Sequence, residues 1–184
     1  TVAVSVDSQP IKMLRYTAKK YSVAVSFGYY ELCDEAIYSS YMFIGKGGEI
    51  VNNFRRVSKG WKEYDITDEH YKEGDGFKTF TYMGKRIALA VCGDLWYEEN
   101  IEQINKEKFD FLLYPVYVTY NTEMWRTKLV NEYAEQAKKI PRPVFLVNSI
   151  CDADNTRGGC YAFLNGKTVC EVPMGQDGYL LVRV

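Results

Sequence analysis

Arg86-Ile87-Ala88-Leu89-Ala90-Val91-Cys92-Gly93-Asp94-Leu95-Trp96 is the stretch whose reading decides the fold. The uncharged run from Ile87 to Val91 reads as a buried strand, with a turn at Gly84-Lys85 before it. It runs straight into a cysteine and a glycine. Beyond Trp96, Glu98-Glu99 reads as an acidic helix start, with Ile101 and Ile104 on one face. A thiol at such a strand-to-helix elbow is held out of the sheet, near the positive end of the following helix. That setting favours the thiolate and makes a nucleophile. The competing reading of Cys92 is a small buried hydrophobe, the commonest fate of a free cysteine.

The composition limits what surrounds this elbow. A chain of 184 residues, 47% hydrophobic and 26% charged, is most simply one globular domain over residues 1–184. A net charge of -1 gives no reason to expect nucleic acid or a membrane surface as partner. No apolar run approaches membrane-spanning length. The five cysteines form no C-x-x-C pair and only one histidine is present, which argues against a structural zinc site. With no signal peptide and no N-glycosylation sequon, the odd cysteine count predicts a reducing, cytoplasmic setting. The first residue is Thr1 rather than a start methionine, so residues are expected upstream.

Working outward, Asp7-Ser8 and Pro10 predict a helix start, with Ile11, Leu14 and Ala18 as its inner face. Strands are predicted at Val23–Tyr29, Ile37–Ile44 and Ile50–Val57, the last two joined by a turn at Gly45-Lys46-Gly47-Gly48. Residues 58–75 are polar, aromatic and without period; a loop of that length in a compact domain is usually functional. Further strands are expected at Phe77–Tyr82 and Phe109–Tyr114. A helix comes next over Met124 to Lys139, with Val130, Tyr133, Ala134 and Ala137 inside, and then Val144–Val147. The tail predicts short strands at Tyr161–Leu164, Thr168–Val172 and Tyr179–Val184. The class is α/β.

Conventional partners for Cys92 are missing from the sequence. His70 lies at no diagnostic spacing and reads as a solvated loop residue. The glycine-rich Gly45–Gly48 segment joins two strands, so it is a hairpin and not a phosphate loop. What remains is a cysteine with lysines, arginines and carboxylates upstream.

In this order the segments resemble the nitrilase superfamily of carbon–nitrogen hydrolases. Val91-Cys92-Gly93-Asp94 is similar to the family's strand-Cys-x-Asp elbow, with Trp96 where the family usually has arginine. Gly48-Glu49-Ile50 through Phe54-Arg55-Arg56 resembles the Gly-Glu hairpin and the Tyr-Arg-Lys strand end. Gly74-Asp75 matches the turn ahead of the nucleophile strand. Tyr114-Pro115-Val116-Tyr117, the helix from Trp125 to Ala137, and Val147-Asn148 resemble the family's later strand ends and tryptophan-led helix. The likeness spans nearly the whole chain.

The resemblance implies a four-layer α-β-β-α sandwich of the nitrilase type, lacking its first strand-helix segment. It also implies a Glu-Lys-Cys triad, in which a thiolate attacks an amide, carbamoyl or nitrile carbon and water later hydrolyses the thioester. The glutamate serves as general base and acid, while a cation and a backbone N–H stabilise the oxyanion. Gly93 is the natural N–H donor. The family lysine falls on Arg56, with Lys59 as the substitute; arginine does not give up a proton, which favours Lys59. For a second family glutamate the candidate is Glu69, with Asp68 competing. The strand that ends in the catalytic glutamate is expected to lie upstream of Thr1. Glu31 and Glu35 follow a later strand and read as hairpin residues.

Trp96, Tyr117 and Trp125 are expected to join Gly93 in contacting substrate, with no metal and no cofactor. The resemblance implies a small amide or nitrile substrate and a homo-oligomer. The alternative is a non-catalytic member of the fold acting as a binding or assembly module, which the Arg56 and Trp96 departures would suit.

Overall fold

The computed structural model describes residues 2–63, 65–152 and 155–184. The chain divides into two compact units, residues 1–76 and 77–184.

The first unit opens with helix α1, Gln9–Tyr21, which carries Pro10 in its first turn and Lys19 and Lys20 in its last. Ile11 and Ala18 are buried on its inner face. Leu14, predicted to join them, is 37% exposed. Strands β1, Val25–Cys33, and β2, Ala36–Ile44, form a tight antiparallel hairpin. Its two turn residues, Asp34 and Glu35, both take positive φ, the backbone of a primed two-residue turn. β1 therefore runs four residues beyond the predicted end at Tyr29, and the two expected hairpin residues lie in this hairpin, Glu31 on its first strand and Glu35 in its turn.

Strand β3, Ile50–Arg55, returns antiparallel to β2, and the short β4, Tyr71–Lys72, lies parallel to it. The predicted loop 58–75 thus contains a strand, and Tyr64 within it lies outside the described residues. At the β2–β3 turn Gly48 has φ +84°, and an added Cβ would come 2.7 Å from the Arg15 carbonyl oxygen. Only glycine lets α1 come this close. Arg15 completes the contact, its Nε donating to the Gly48 carbonyl at 2.8 Å. Met42 and Ile44 of β2 meet Ile11 and Ala18 of α1 in this unit's core.

The second unit is a six-stranded sheet in the order β12 (Lys167–Val172), β11 (Cys160–Leu164), β8 (Val144–Asn148), β7 (Phe111–Val116), β6 (Lys85–Leu89), β5 (Phe80–Tyr82). β5, Phe80–Tyr82, and β6, Lys85–Leu89, make a hairpin; the strand predicted from Phe77 begins at Phe80. β6, β7 (Phe111–Val116) and β8 (Val144–Asn148) run parallel at the centre. Parallel neighbours require crossovers. Helix α2, Glu98–Lys106, supplies the first. The second is a short helix α3, Thr122–Met124, a π-helical turn over Trp125–Leu129, and α4, Val130–Lys138. Tyr133, Ala134 and Ala137 are buried on α4, the stripe that its spacing predicts.

A small hairpin of β9, Ile150–Cys151, and β10, Thr156–Arg157, comes after β8. β11, Cys160–Leu164, and β12, Lys167–Val172, close the sheet antiparallel. Residues 179–184, predicted as a strand, form none. Tyr179 is 80% and Leu181 85% exposed. An apolar run becomes a strand only where a neighbouring strand supplies its backbone pairing. The core on the α2 and α4 side is built from Ala88, Leu112, Tyr114, Leu146 and Phe163 of the sheet under Ile101, Ile104 and Tyr133. No helix among the described residues is long and apolar enough to cross a membrane.

Candidate active site

Cys92 stands just beyond the C-terminal end of β6, where open parallel sheets bind ligands. Ala90 still pairs with β7, its N–H donating to the Leu113 carbonyl at 3.1 Å. The chain then breaks from the sheet at Cys92, whose φ is +48°. A side chain in that left-handed region stores roughly 1–3 kcal/mol of strain. The predicted strand-to-helix elbow is present, with one difference. A single 3₁₀ turn, Cys92–Trp96, intervenes, and α2 begins only at Glu98.

Three side chains hold that turn. The Asp94 carboxylate, fully buried, accepts the Val91 N–H at 2.8 Å. The Asp94 N–H donates to the Val91 carbonyl at 3.0 Å. From the neighbouring strand, the Tyr114 hydroxyl donates to the Cys92 carbonyl at 2.6 Å. Asn100 of α2 donates its side-chain N–H to the Asp94 carbonyl at 3.1 Å.

Aromatic rings crowd the same place. Trp96 meets Tyr133 edge-on at 5.1 Å, and Trp125 lies against the same ring at 4.9 Å. Burial pushes the Tyr133 hydroxyl pKa up, and the Cys92 thiol nearby adds to the rise. Burial likewise raises Tyr114 well above the usual range, with Tyr133, Cys92 and Asp94 adding, while a hydrogen bond with the Trp96 side chain lowers it. Both phenols are therefore neutral hydrogen-bonding groups at any ordinary pH.

Of the predicted substrate contacts, Gly93 and Trp96 share the turn with Cys92, and Trp96 is 42% exposed. Tyr117 follows β7 at the same end of the sheet and is 47% exposed. Its loop is pinned by Asn148 at the end of β8. The Asn148 side chain accepts the Val118 N–H at 3.0 Å and donates to the Val118 and Gly158 carbonyls. Trp125 is buried to 1%, and its indole N–H donates to the Tyr161 hydroxyl at 2.8 Å. It belongs to the core, one ring removed from the elbow.

The remaining candidates lie in the first unit. Arg56, half-buried, donates from Nε to the Ser58 hydroxyl at 2.8 Å, and its backbone N–H bonds the Ser39 carbonyl. Lys59 is exposed on the turn beyond. Glu69 is exposed at the rim of an open depression of about 320 Å³, with Asp34, Glu35 and His70. Its neighbour Asp68 accepts both the backbone N–H and the ring of His70 at 2.9 and 3.0 Å. Among the described residues no ion pair joins Glu69 to Arg56 or Lys59.

Glu31 is 2% exposed. Arg55 holds its carboxylate with two bonds, 2.9 and 2.8 Å, and the Ser40 hydroxyl donates a third at 2.7 Å. Burial alone would raise its pKa, but the Arg55 and Ser40 bonds and the guanidinium charge hold it below the usual value.

Tyr114 and Tyr133 are the residues that sequence reasoning missed as neighbours of Cys92. Tyr133 was visible as part of a helix stripe, and Tyr114 as the last residue before Pro115. Neither pattern says where a hydroxyl ends.

The sequence model described as carbon-nitrogen hydrolase matches residues 1–184. Over 120 residues the chain is 25% identical to a citrullinase from Francisella tularensis, covering 62% of this chain and 41% of that protein. Over 104 residues it is 29% identical to a bromoxynil-specific nitrilase from Klebsiella pneumoniae subsp. ozaenae, covering 56% and 28%. Among solved structures it is similar to an amidase from Nesterenkonia sp. AN1, with the acetamide moiety of fluoroacetamide added at its active-site cysteine. That likeness has a TM-score of 0.71 at 15% identity over 89% of this chain and 62% of the other. The matches thus span at most about two fifths of these curated relatives, and the fold is that of the nitrilase superfamily.

Proposed function

The chain belongs to the carbon–nitrogen hydrolase family, and on that premise we propose that Cys92 is the nucleophile of a hydrolase acting on a small amide, carbamoyl compound or nitrile. The observation that carries this reading is the backbone at Cys92. A left-handed φ at the C-terminal end of a central parallel strand turns the thiol out of the sheet. Strain of this kind persists only where its surroundings over-determine it. Asp94 and Tyr114 do so here.

With an amide, the Cys92 thiolate adds to the carbonyl carbon, and the carbonyl oxygen takes the negative charge. The carbon–nitrogen bond then breaks, the nitrogen leaving with a proton as ammonia or amine. Water adds to the resulting thioester, releasing the acid and returning the thiol. Gly93 N–H is the oxyanion donor. Trp96 and Tyr117, both substantially exposed, wall the substrate, and Trp125 acts behind them through Tyr133. Lys59 takes the part of the family lysine, with Arg56 as its competitor. Glu69 is the proposed acidic partner. No cofactor is required, and a homo-oligomeric enzyme of the cytoplasm is the proposed setting.

Ammonia release from acetamide, butyramide and small nitriles by the full-length protein tests the proposal. Turnover that disappears in Cys92→Ala supports it. Turnover that survives the substitution would overturn Cys92 as the nucleophile, and no turnover with any carbon–nitrogen substrate alongside tight ligand binding would instead favour the binding-module alternative.

A further inference from the structure

The bond from Tyr114 does not reach the thiol of Cys92; it reaches the carbonyl oxygen. That carbonyl belongs to the same peptide unit as the Gly93 N–H. A peptide unit is planar, and no cis peptide occurs among the described residues. The two groups therefore point in opposite directions from one rigid plate. Whatever fixes the carbonyl also fixes the N–H.

From this geometry we infer that Tyr114 is a positioning residue for the oxyanion donor, aiming and polarising the Gly93 N–H through the Cys92 carbonyl. The inference rests on the hydrolase reading above for its catalytic meaning. Three observations support it. Tyr114 is fully buried on β7, so its ring is fixed by packing, and its hydroxyl donates to the Cys92 carbonyl while accepting from the Trp96 side chain. Burial keeps that hydroxyl protonated, so it donates at any working pH. The bond is short, 2.6 Å, in a part-buried, aromatic setting, where one hydrogen bond strengthens the next along a polarised chain. A donor pulling on the carbonyl makes the attached N–H a better donor to a developing oxyanion.

The Asp94 bond to Val91 fixes the other side of the turn, so the plate is held at both ends. Asp94 N–H is spent on the Val91 carbonyl. Gly93 is the next donor along the backbone after the nucleophile.

Tyr114→Phe in the full-length protein tests this, because it removes only the hydroxyl. Alkylation of Cys92 by iodoacetamide forms no oxyanion, whereas amide hydrolysis does. The expected result is a fall of about tenfold in kcat for acetamide, less than the loss of a whole oxyanion donor. KM and the alkylation rate of Cys92 stay within about twofold. The Gly93 amide nitrogen resonance should shift, since its peptide carbonyl has lost a donor.

The variant with 4-aminophenylalanine at position 114 keeps a donor in the same place. It should fall between the two on every readout, and it serves alone should the phenylalanine variant not fold. Equal losses in alkylation and turnover would mean that Tyr114 only stabilises the fold, and would overturn the inference, as would an unmoved Gly93 resonance. If the wild-type protein hydrolyses no amide or nitrile, the hydrolase reading fails and the Gly93 resonance alone decides. A shift then still supports the mechanical link, and its absence overturns it.

Discussion

The Tyr114 hydroxyl on β7 and the Cys92 carbonyl beyond β6 are 2.6 Å apart, a hydrogen bond between the ends of two adjacent parallel strands. Through it the packing of the second unit's core reaches the backbone of the proposed nucleophile. The same core carries Tyr133, whose ring lies between Trp96 and Trp125. Substitutions around this elbow should therefore separate into those that move chemistry and those that move only stability.

Cys92 should be the first of the five thiols to be alkylated at neutral pH. All five cysteines are free and of intermediate exposure, so accessibility ranks none of them ahead. The left-handed elbow distinguishes Cys92. Timed iodoacetamide labelling with peptide mapping checks this; early labelling of Cys33 or Cys151 with Cys92 silent contradicts it.

Asp94→Ala leaves the Val91 N–H without its 2.8 Å partner and opens a gap in a fully buried position. A lost buried acceptor costs about 1–3 kcal/mol. Chemical denaturation should show that loss, and the labelling rate at Cys92 should change with it. Asp94→Asn, which keeps an acceptor oxygen, should recover part of both.

Glu31→Gln should make stability less dependent on pH. The folded carboxyl has a lowered pKa, so its contribution is present above the unfolded value of roughly 4.3 and lost as pH falls through the folded value. The variant should be less stable than wild type at pH 7, by about 1–3 kcal/mol for weakened bonds to a charged partner. The two curves should converge below about pH 4. Melting temperatures measured from pH 3 to pH 7 decide it; a constant difference would contradict the ion-pair account.

Trp125→Phe should lower stability and leave KM unchanged. Its indole N–H is committed to Tyr161 and its ring is 1% exposed, so about 1 kcal/mol for the hydrogen bond and further packing are lost. Trp96→Phe, on the exposed side of Tyr133, should instead raise KM. Paired melting and steady-state measurements on full-length protein distinguish the two sites. A KM effect at Trp125 with no loss of stability would return it to the substrate wall.

Lys59→Ala should reduce turnover more than Arg56→Ala, because only the lysine can exchange a proton. An opposite ranking would assign the role to Arg56, whose backbone is tied to Ser39 while Lys59 stands exposed. Melting temperatures of both variants separate a catalytic loss from unfolding.

Much of this was legible in the residues themselves. The run Ile87–Val91 into Cys92-Gly93-Asp94 marked a buried strand and its elbow, because five uncharged residues ending in a turn have few other ways to fold. The stripe of Tyr133, Ala134 and Ala137 marked the inner face of α4, since helical period puts those positions on one side. Local chemistry suffices for such features. It failed where a neighbour was needed. The apolar residues of 179–184 read as a strand, but pairing has to be supplied by another strand, and none among the described residues supplies it. The length of β1 was missed because Asp34 and Glu35 turn the chain with positive φ and no glycine, and the pairing of Cys33 with Ala36 sustains them. Glu31 read as a hairpin charge until β3 brought Arg55 beside it, 24 residues away in sequence. Only the parallel pairing of β6 with β7 decided that the Tyr114 hydroxyl ends on the Cys92 carbonyl. A sequence can say which residues carry donors and acceptors, but their partners are set by register between distant strands, and register is a property of the folded sheet.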